Sequence, residues 1–97
     1  MIKLEPGNVL LKPSQRRQVM TGLRRSSRLG DRLGNFDLKI SMQRSGKFYE
    51  LRANGHAAAS DFGSRSRRHD WQTALRELTA DVTRQLHDLC LDRTAIA

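Results

Sequence analysis

Residues 36–43 have the sequence FDLKISMQ, in which apolar and polar side chains alternate without a break. The apolar members of the series are Phe36, Leu38, Ile40 and Met42. Because successive side chains of a β-strand point to opposite faces of the sheet, this pattern predicts a strand with one buried and one open face.

The residues that follow predict two further strands. A Ser-Gly turn at residues 45–46 would connect the first strand to one over residues 48–58, so that the two form a β-hairpin. A second turn is expected near residues 60–61. Residues 62–68 then predict a weaker strand, for which the alternative is a flexible basic loop.

The N-terminal third predicts one strand and one helix. Two short alternating pairs within residues 2–11 indicate a strand that is interrupted by a bulge or tight turn at residues 6–8, Pro-Gly-Asn. A helix is expected to begin at Pro13 or Ser14 and to run to about residues 34–35, although its glycines weaken it.

The strongest helical pattern follows Asp70, a residue type that favours the N-cap position. From Trp71 to Leu89, apolar residues recur at spacings of three and four, the period of one helix face. The ordered part of the domain is expected to end near residue 91. The predicted order is β-α-β-β-β-α, an α+β two-layer sandwich in which both helices cover one face of a four-stranded sheet.

Length and composition limit the possible classes of protein. The 97 residues at 11.1 kDa fit one domain, and the net charge of +8 with 37% hydrophobic residues excludes an acidic, membrane-spanning or fully disordered chain. No apolar stretch is long enough to cross a bilayer and no signal peptide is recognisable, so a cytoplasmic protein is expected. Cys90 is the only cysteine, and therefore no intrachain disulfide can form.

The positive charge is concentrated in residues 12–35, which carry a net charge of +6. Of the 18 cationic residues, 14 are Arg, whose planar guanidinium suits phosphate groups and stacks on bases. At about 100° per residue, five arginines fall on the side of the first predicted helix opposite its apolar face. This arginine ridge consists of Arg17, Arg24, Arg25, Arg28 and Arg32.

A solvated helix face is the simplest interpretation of such a charge run. Five arginines with only Asp31 nearby would, however, repel one another in the absence of a counter-surface, which favours phosphate binding. Phosphate contacts would make affinity fall steeply with salt, whereas the shape of an RNA would supply the specificity.

The open face of the sheet and the weaker strand add a second set of cations. They either keep the surface soluble or form a second phosphate-contacting strip. Phe48 is either a stacking platform for a base or a turn-packing residue. The predicted members of the open face are Lys39, Arg52, His56, Arg65 and Arg67, and the basic strip over residues 64–68 adds Arg68.

The sequence contains no pattern typical of an enzyme or a metal site. The three histidines and Cys90 lack paired-ligand spacing, so neither a metal nor any other cofactor is expected. There is no nucleophile motif and no glycine-rich phosphate loop, so no enzymatic activity is expected. Trp71 is expected to anchor the last helix in the core rather than to bind a ligand.

The element order and the C-terminal half resemble the ribosome hibernation promoting factor family, also called the sigma 54 modulation or ribosome-associated inhibitor family. The resemblance covers nearly the whole chain. Its most specific part is the stretch DWQTAL over residues 70–75, followed by Leu78, Val82 and the Arg-Gln-Leu of residues 84–86. The strand over residues 36–43 and the Tyr-Glu-Leu of residues 49–51 support it.

This resemblance implies a protein that sits in the decoding channel of the small ribosomal subunit, touches ribosomal RNA with basic side chains and blocks mRNA and tRNA. Two features differ from the family pattern: Trp71 and Gln72 shift or replace its usual aromatic residue, and the Lys-rich tail is replaced by His87, Asp88, Asp92 and Arg93. The extra dimerisation domain of the long form has no counterpart, so pairing of ribosomes would need another factor.

Two other functions fit the same sequence. A free-standing double-stranded RNA-binding domain has the same helix, three strands, helix order without the first strand. A protein-interaction module could instead dock an acidic partner such as a transcription factor. In the RNA-binding interpretation, the arginine ridge makes the primary contacts, and the secondary ones come from Lys39, Arg52, Arg65, Arg67 and Arg68.

Overall fold

The computed structural model describes the backbone of residues 2–96 and the side chains of residues 2–91. It has an α+β fold with a four-stranded sheet, which confirms the predicted fold class. The elements are β1 (Ile2–Glu5), α1 (Pro13–Gly22), α2 (Arg24–Leu33), β2 (Asp37–Ser45), β3 (Phe48–Ala57), β4 (Ser60–Arg68) and α3 (Trp71–Ile96). The side chains of Asp92 and Arg93 lie outside the described residues, and the end of order near residue 91 stays a prediction.

The strands of the sheet follow chain order, β1-β2-β3-β4. β1 pairs in parallel with β2, because α1 and α2 return the chain to the same end, whereas the two hairpins make the remaining pairs antiparallel. Leu38, Ile40 and Met42 are buried and their neighbours Lys39 and Gln43 are exposed, so the alternation predicted for this strand is confirmed.

The helices cover one face of the sheet and enclose the core. Leu78, Val82 and Leu86 of α3 are almost completely buried and form one core with Ile40 and Leu51 of the sheet and the buried apolar residues of α1 and α2. Trp71 is 7% exposed and belongs to this core, as the sequence predicts. The second face of the sheet is left open to solvent.

The sequence predicts a single first helix, and this prediction is wrong in one respect. The structure divides the helix at Leu23 into α1 and α2. Leu23 is fully buried, and its φ and ψ of −91° and 0° depart from helical values. Its backbone N–H is shared between the carbonyls of Val19 and Met20, both at 3.2 Å. Gly22, directly before the break, offers no side chain to hold the turn in helical geometry.

The predicted first strand is shorter than expected. The tight turn at residues 6–8 is present, with the Val9 N–H donating to the Pro6 carbonyl at 2.9 Å, but residues 9–12 do not continue the strand. Instead, the Asn8 side chain bonds the backbone N–H and carbonyl of Arg44 at 2.7 and 2.9 Å. This pair of bonds ties the turn after β1 to the end of β2.

The turn expected near residues 60–61 lies two residues earlier. Ala58 and Ala59 form it with φ of 49° and 64°, and Ser60 already belongs to β4. Two successive residues of positive φ match the twist of the hairpin strands. The prediction of a strand at residues 62–68, against the loop alternative, is confirmed because all of these residues lie within β4.

Candidate nucleic-acid interface

The arginine ridge lies on the outer surface of the helical layer. Arg24, Arg28 and Arg32 are spaced by four residues along α2, so they form one stripe, and Arg25 lies beside it. Ser26, Gly30 and Leu33 form the buried side of the same helix. Arg17 is exposed on α1, before the break at Leu23, so the continuous helical wheel of the prediction does not apply across the whole ridge.

The ridge arginines are not neutralised by the side chains around them. All five are exposed, and none forms an ion pair with any side chain of residues 2–91. Arg16 on α1 is exposed as well and extends the positive surface beyond the predicted set. The net charge of +6 in residues 12–35 is therefore displayed to solvent, as a phosphate-binding surface requires.

The predicted cations of the open sheet face are largely paired with carboxylates. Lys39 Nζ lies 3.2 Å from Glu5 Oε2, and Arg52 contacts Glu50 Oε1 through Nη2 at 2.8 Å and Nε at 2.9 Å. The hydrogen bond from Lys39 and the charges of Lys39 and Lys3 hold the pKa of the Glu5 carboxyl below its usual value.

The open face as a whole is nearly neutral. His56 Nδ1 lies 2.8 Å from Asp61 Oδ1 across the β3–β4 pair, which adds a further carboxylate next to a predicted contact residue. By strand register, five Lys or Arg side chains share this face with four carboxylates. They are Lys3, Lys39, Arg52, Arg65 and Arg67, against Glu5, Asp37, Glu50 and Asp61. The concentrated positive charge of the protein therefore lies on the helical layer.

Arg65 and Arg67 share the open face of β4, as predicted. Arg65 is exposed and has no ion pair within residues 2–91, and it lies opposite Arg52 in the register. The guanidinium carbon of Arg67 lies 4.3 Å from the centre of the Phe48 ring, which itself stacks on His69 at 4.5 Å between centroids. Phe48, the ring that the sequence suggested either as a platform for a base or as a turn-packing residue, therefore already contacts Arg67 and His69.

Arg68 does not join that group. Strand alternation places it on the side of the sheet that the helices cover, where its Nε donates to Glu77 Oε1 of α3 at 2.9 Å. Its Nη1 also donates to the Arg67 carbonyl at 2.8 Å. The sequence grouped Arg68 with Arg65 and Arg67 because all three lie in one basic tract, but the period of two in a strand separates their side chains.

The structure also shows cations that the sequence treated as surface residues of the last helix. Arg76 is exposed on α3 and lines a groove between α3 and the α1–α2 pair, together with Arg25. Arg84 lines it too, but it is paired with Asp81, which raises the pKa of its guanidinium. The relation of Arg76 to the ridge depends on helix packing, which a single-helix pattern does not contain.

Within the described residues, no cluster of three or more His, Cys, Asp or Glu side chains is placed to hold a metal ion. Cys90 is half-buried at the edge of the core. Among the described helices, none combines the length and the apolar character required to span a bilayer.

Comparisons with known proteins identify the fold. No protein-family model matches the chain, and no curated protein matches it. The N-terminal domain of Thermus thermophilus Protein Y superposes with a TM-score of 0.78 at 18% identity, over 90% of this chain and 94% of that one. A ribosomal subunit interface protein from Coxiella burnetii gives a TM-score of 0.74 at 17% identity, over 93% of this chain and 97% of that one. The chain therefore has the same fold over nearly its whole length as these two proteins.

Proposed function

We propose that this protein is a ribosome-associated translation inhibitor of the hibernation-factor type. It binds ribosomal RNA of the small subunit near the decoding channel and blocks mRNA and tRNA by occupying their place. The mechanism needs no cofactor and no bond-making step, and its place of action is the cytoplasm, where ribosomes are.

The observation that carries this proposal is an unneutralised arginine surface on a fold shared with a ribosomal subunit interface protein. The ridge presents five guanidinium groups on two short helices, and each can bind phosphate in bidentate fashion. In contrast, the open sheet face has carboxylates beside Lys39 and Arg52, which lowers its attraction for RNA. We therefore assign the primary contacts to the ridge and the secondary contacts to Lys39, Arg52, Arg65 and Arg67.

Arg68 has a different assignment. Its ion pair with Glu77 joins β4 to α3, and its position on the covered side of the sheet separates it from the secondary contacts. We assign Arg68 to the stability of the domain.

Co-sedimentation with purified small ribosomal subunits tests the proposal. The wild-type protein is expected to sediment with the subunits at low salt, and an excess of RNA duplex should not displace it. Displacement by duplex would favour the free-standing double-stranded RNA-binding domain. Binding to a protein partner that survives nuclease treatment, without binding to subunits, would favour the protein-interaction module.

A charge-matched pair of variants tests which surface of the protein binds the subunit. Reversal of Arg24, Arg25 and Arg28 to Glu should abolish co-sedimentation, because it turns three phosphate contacts into repulsive ones. The control reverses three exposed cations outside the proposed contacts and changes the net charge equally; it consists of Lys3→Glu, Arg44→Glu and Lys47→Glu. The control should retain most of the binding. Equal losses in both variants would show that net charge, and not the ridge, drives association.

A further inference from the structure

The helical layer contains a groove of about 670 Å³ next to the arginine ridge. One wall consists of Gln18, Gly22 and Arg25 from the α1–α2 pair, and the other is formed by α3. Trp71 and Leu75 reach the floor of the groove, but both are more than nine-tenths buried and belong to the core. The volume is within the range of pockets that hold small organic ligands.

The polar groups of the groove favour an anionic ligand. Arg25 and Arg76 lie on different walls, and neither has a carboxylate of residues 2–91 within ion-pair distance. The charge of Arg76 nevertheless helps to lower the pKa of the Asp70 carboxyl at the start of α3. No carboxylate is among the described residues that line the groove. One hydrogen-bonding amide side chain stands on each wall, Gln18 on the α1–α2 side and Gln72 on α3.

We propose that this groove binds a single unstacked nucleotide, its base between the two walls beside Gln18 and Gln72 and its phosphate between Arg25 and Arg76. The inference that the nucleotide belongs to the bound RNA rests on the proposed function. It is supported by Arg25, which belongs both to the arginine ridge and to the groove wall. A strand whose phosphates follow the ridge therefore passes the opening of the groove, where a base can turn inward and be read by hydrogen bonds.

An acidic amphipathic helix from a protein is the competing occupant, and the groove fits it less well. Such a helix needs an exposed apolar stripe to dock on. Here the large apolar residues of the groove are recessed below a polar rim. The exposed large apolar residues of the described chain, Leu10, Met20 and Leu91, all lie outside the groove.

Trp71 is the only tryptophan, so its fluorescence reports directly on the groove. Titration with each of the four nucleoside 5′-monophosphates should give a saturable change with a dissociation constant in the millimolar range or below. Inorganic phosphate and ribose 5-phosphate should give a change at least about tenfold weaker, since they lack the base. No saturable change with any nucleotide, or an equal one with inorganic phosphate, would overturn the proposal. A groove that docks a protein instead would give no saturable change with any nucleotide.

Gly22 provides a matched pair of variants. A Cβ built on this residue meets no atom within 4 Å, so a side chain there enters open space in the groove wall. Gly22→Leu should weaken nucleotide binding about tenfold or more, whereas Gly22→Ala should change it by less than about twofold. Arg76→Ala is a second test that leaves the α1–α2 packing untouched. It should lower the affinity for nucleotides more than the affinity for the corresponding nucleosides, which lack the phosphate. Unchanged nucleotide affinity in both Gly22→Leu and Arg76→Ala would contradict the assignment.

Small-subunit binding separates this inference from the proposed function. Gly22→Leu should lower subunit affinity and flatten the salt dependence by no more than about one unit, because one phosphate contact is lost while those of the other ridge arginines remain. If the wild-type protein does not bind subunits at all, the proposed function fails, and the fluorescence titration still decides whether the groove binds nucleotides.

Discussion

Ser26 Oγ lies 2.9 Å from Thr83 Oγ1, and this hydrogen bond joins α2 to α3 at a point where Ser26 is completely buried. A serine at this position keeps the two helices close and satisfies both hydroxyl groups. Because Ser26 is on the side of α2 opposite the ridge, the bond helps to fix the direction in which Arg24 and Arg28 point. It also fixes the width of the nucleotide groove, which Thr83 lines.

Loss of one partner of this bond should destabilise the domain. Ser26→Ala leaves the Thr83 hydroxyl without its partner and should lower the free energy of unfolding by about 1–2 kcal/mol. Thr83→Val should have an effect of similar size. The double variant should lose less than the sum of the two, since the bond can be lost only once. Urea denaturation measures all four proteins, and strictly additive losses would show that the bond contributes nothing.

Two glycines in the same helical layer should respond in opposite ways to alanine. A Cβ on Gly30 would overlap the ring of Phe36, so Gly30→Ala should destabilise the protein by about 1–3 kcal/mol. Gly22→Ala meets open space and should be neutral or stabilising by up to about 1 kcal/mol. Thermal denaturation compares them. Phe36→Leu should partly rescue Gly30→Ala, and no rescue would show that the overlap is not the cause of the loss.

Because Arg68 is paired with Glu77, its substitution should affect the stability of the domain and not its binding to the subunit. Arg68→Ala should lower the free energy of unfolding by up to about 1 kcal/mol, as is usual for an exposed pair, and leave subunit binding unchanged. Arg65→Ala should leave stability unchanged and weaken subunit binding slightly. The reverse pattern, measured by denaturation and co-sedimentation, would place Arg68 in the RNA contact.

The hydrogen bonds to the Asp81 carboxyl predict how the stability of the protein depends on pH. Hydrogen bonds from Ser64 and then Arg84 hold the pKa of the Asp81 carboxyl below its usual value of 3.8. A carboxyl with a lower pKa in the folded state stabilises the protein above its ordinary pKa, and this stabilisation disappears as the pH falls through the folded-state value. Asp81→Asn should therefore be less stable than wild type at pH 7, with the difference shrinking below about pH 4.

Asp88→Asn is the control for that experiment. The Asp88 carboxylate lies 3.9 Å from Arg84 on the same helix, at the limit of an ion pair. Its substitution should change stability at pH 7 by less than Asp81→Asn does. A difference between wild type and Asp81→Asn that does not shrink in acid would assign the loss to packing.

Sequence patterns correctly predicted the elements whose buried and exposed faces follow from a regular spacing of apolar residues. The alternation of residues 36–43 gave β2 and its faces, and the period of apolar residues from Trp71 gave α3. The break at Leu23 was not predicted, because a helical wheel assumes one continuous helix. Its cause is tertiary: Leu23 is fully buried in a core that a sequence pattern does not show.

The candidate site was predicted only where its residues are neighbours on one element. Four of the five ridge residues were grouped correctly because they share one face of α2: Arg24, Arg25, Arg28 and Arg32. The near-neutrality of the open sheet face was missed, since Lys39 meets Glu5 and His56 meets Asp61 only through strand pairing. The order of the strands and their register determine these contacts, and neither is contained in the alternation of a single strand.

The salt dependence of binding to small subunits tests the central claim most directly, because it counts phosphate contacts. If the five ridge arginines each neutralise a phosphate, a plot of log affinity against log salt concentration should have a slope of about −3.5 to −4.5 or steeper. A milder variant with Arg24, Arg25 and Arg28 replaced by Ala should flatten that slope by about two to three units. A slope that is unchanged in this variant would contradict the account, since the phosphate contacts would then lie on another surface.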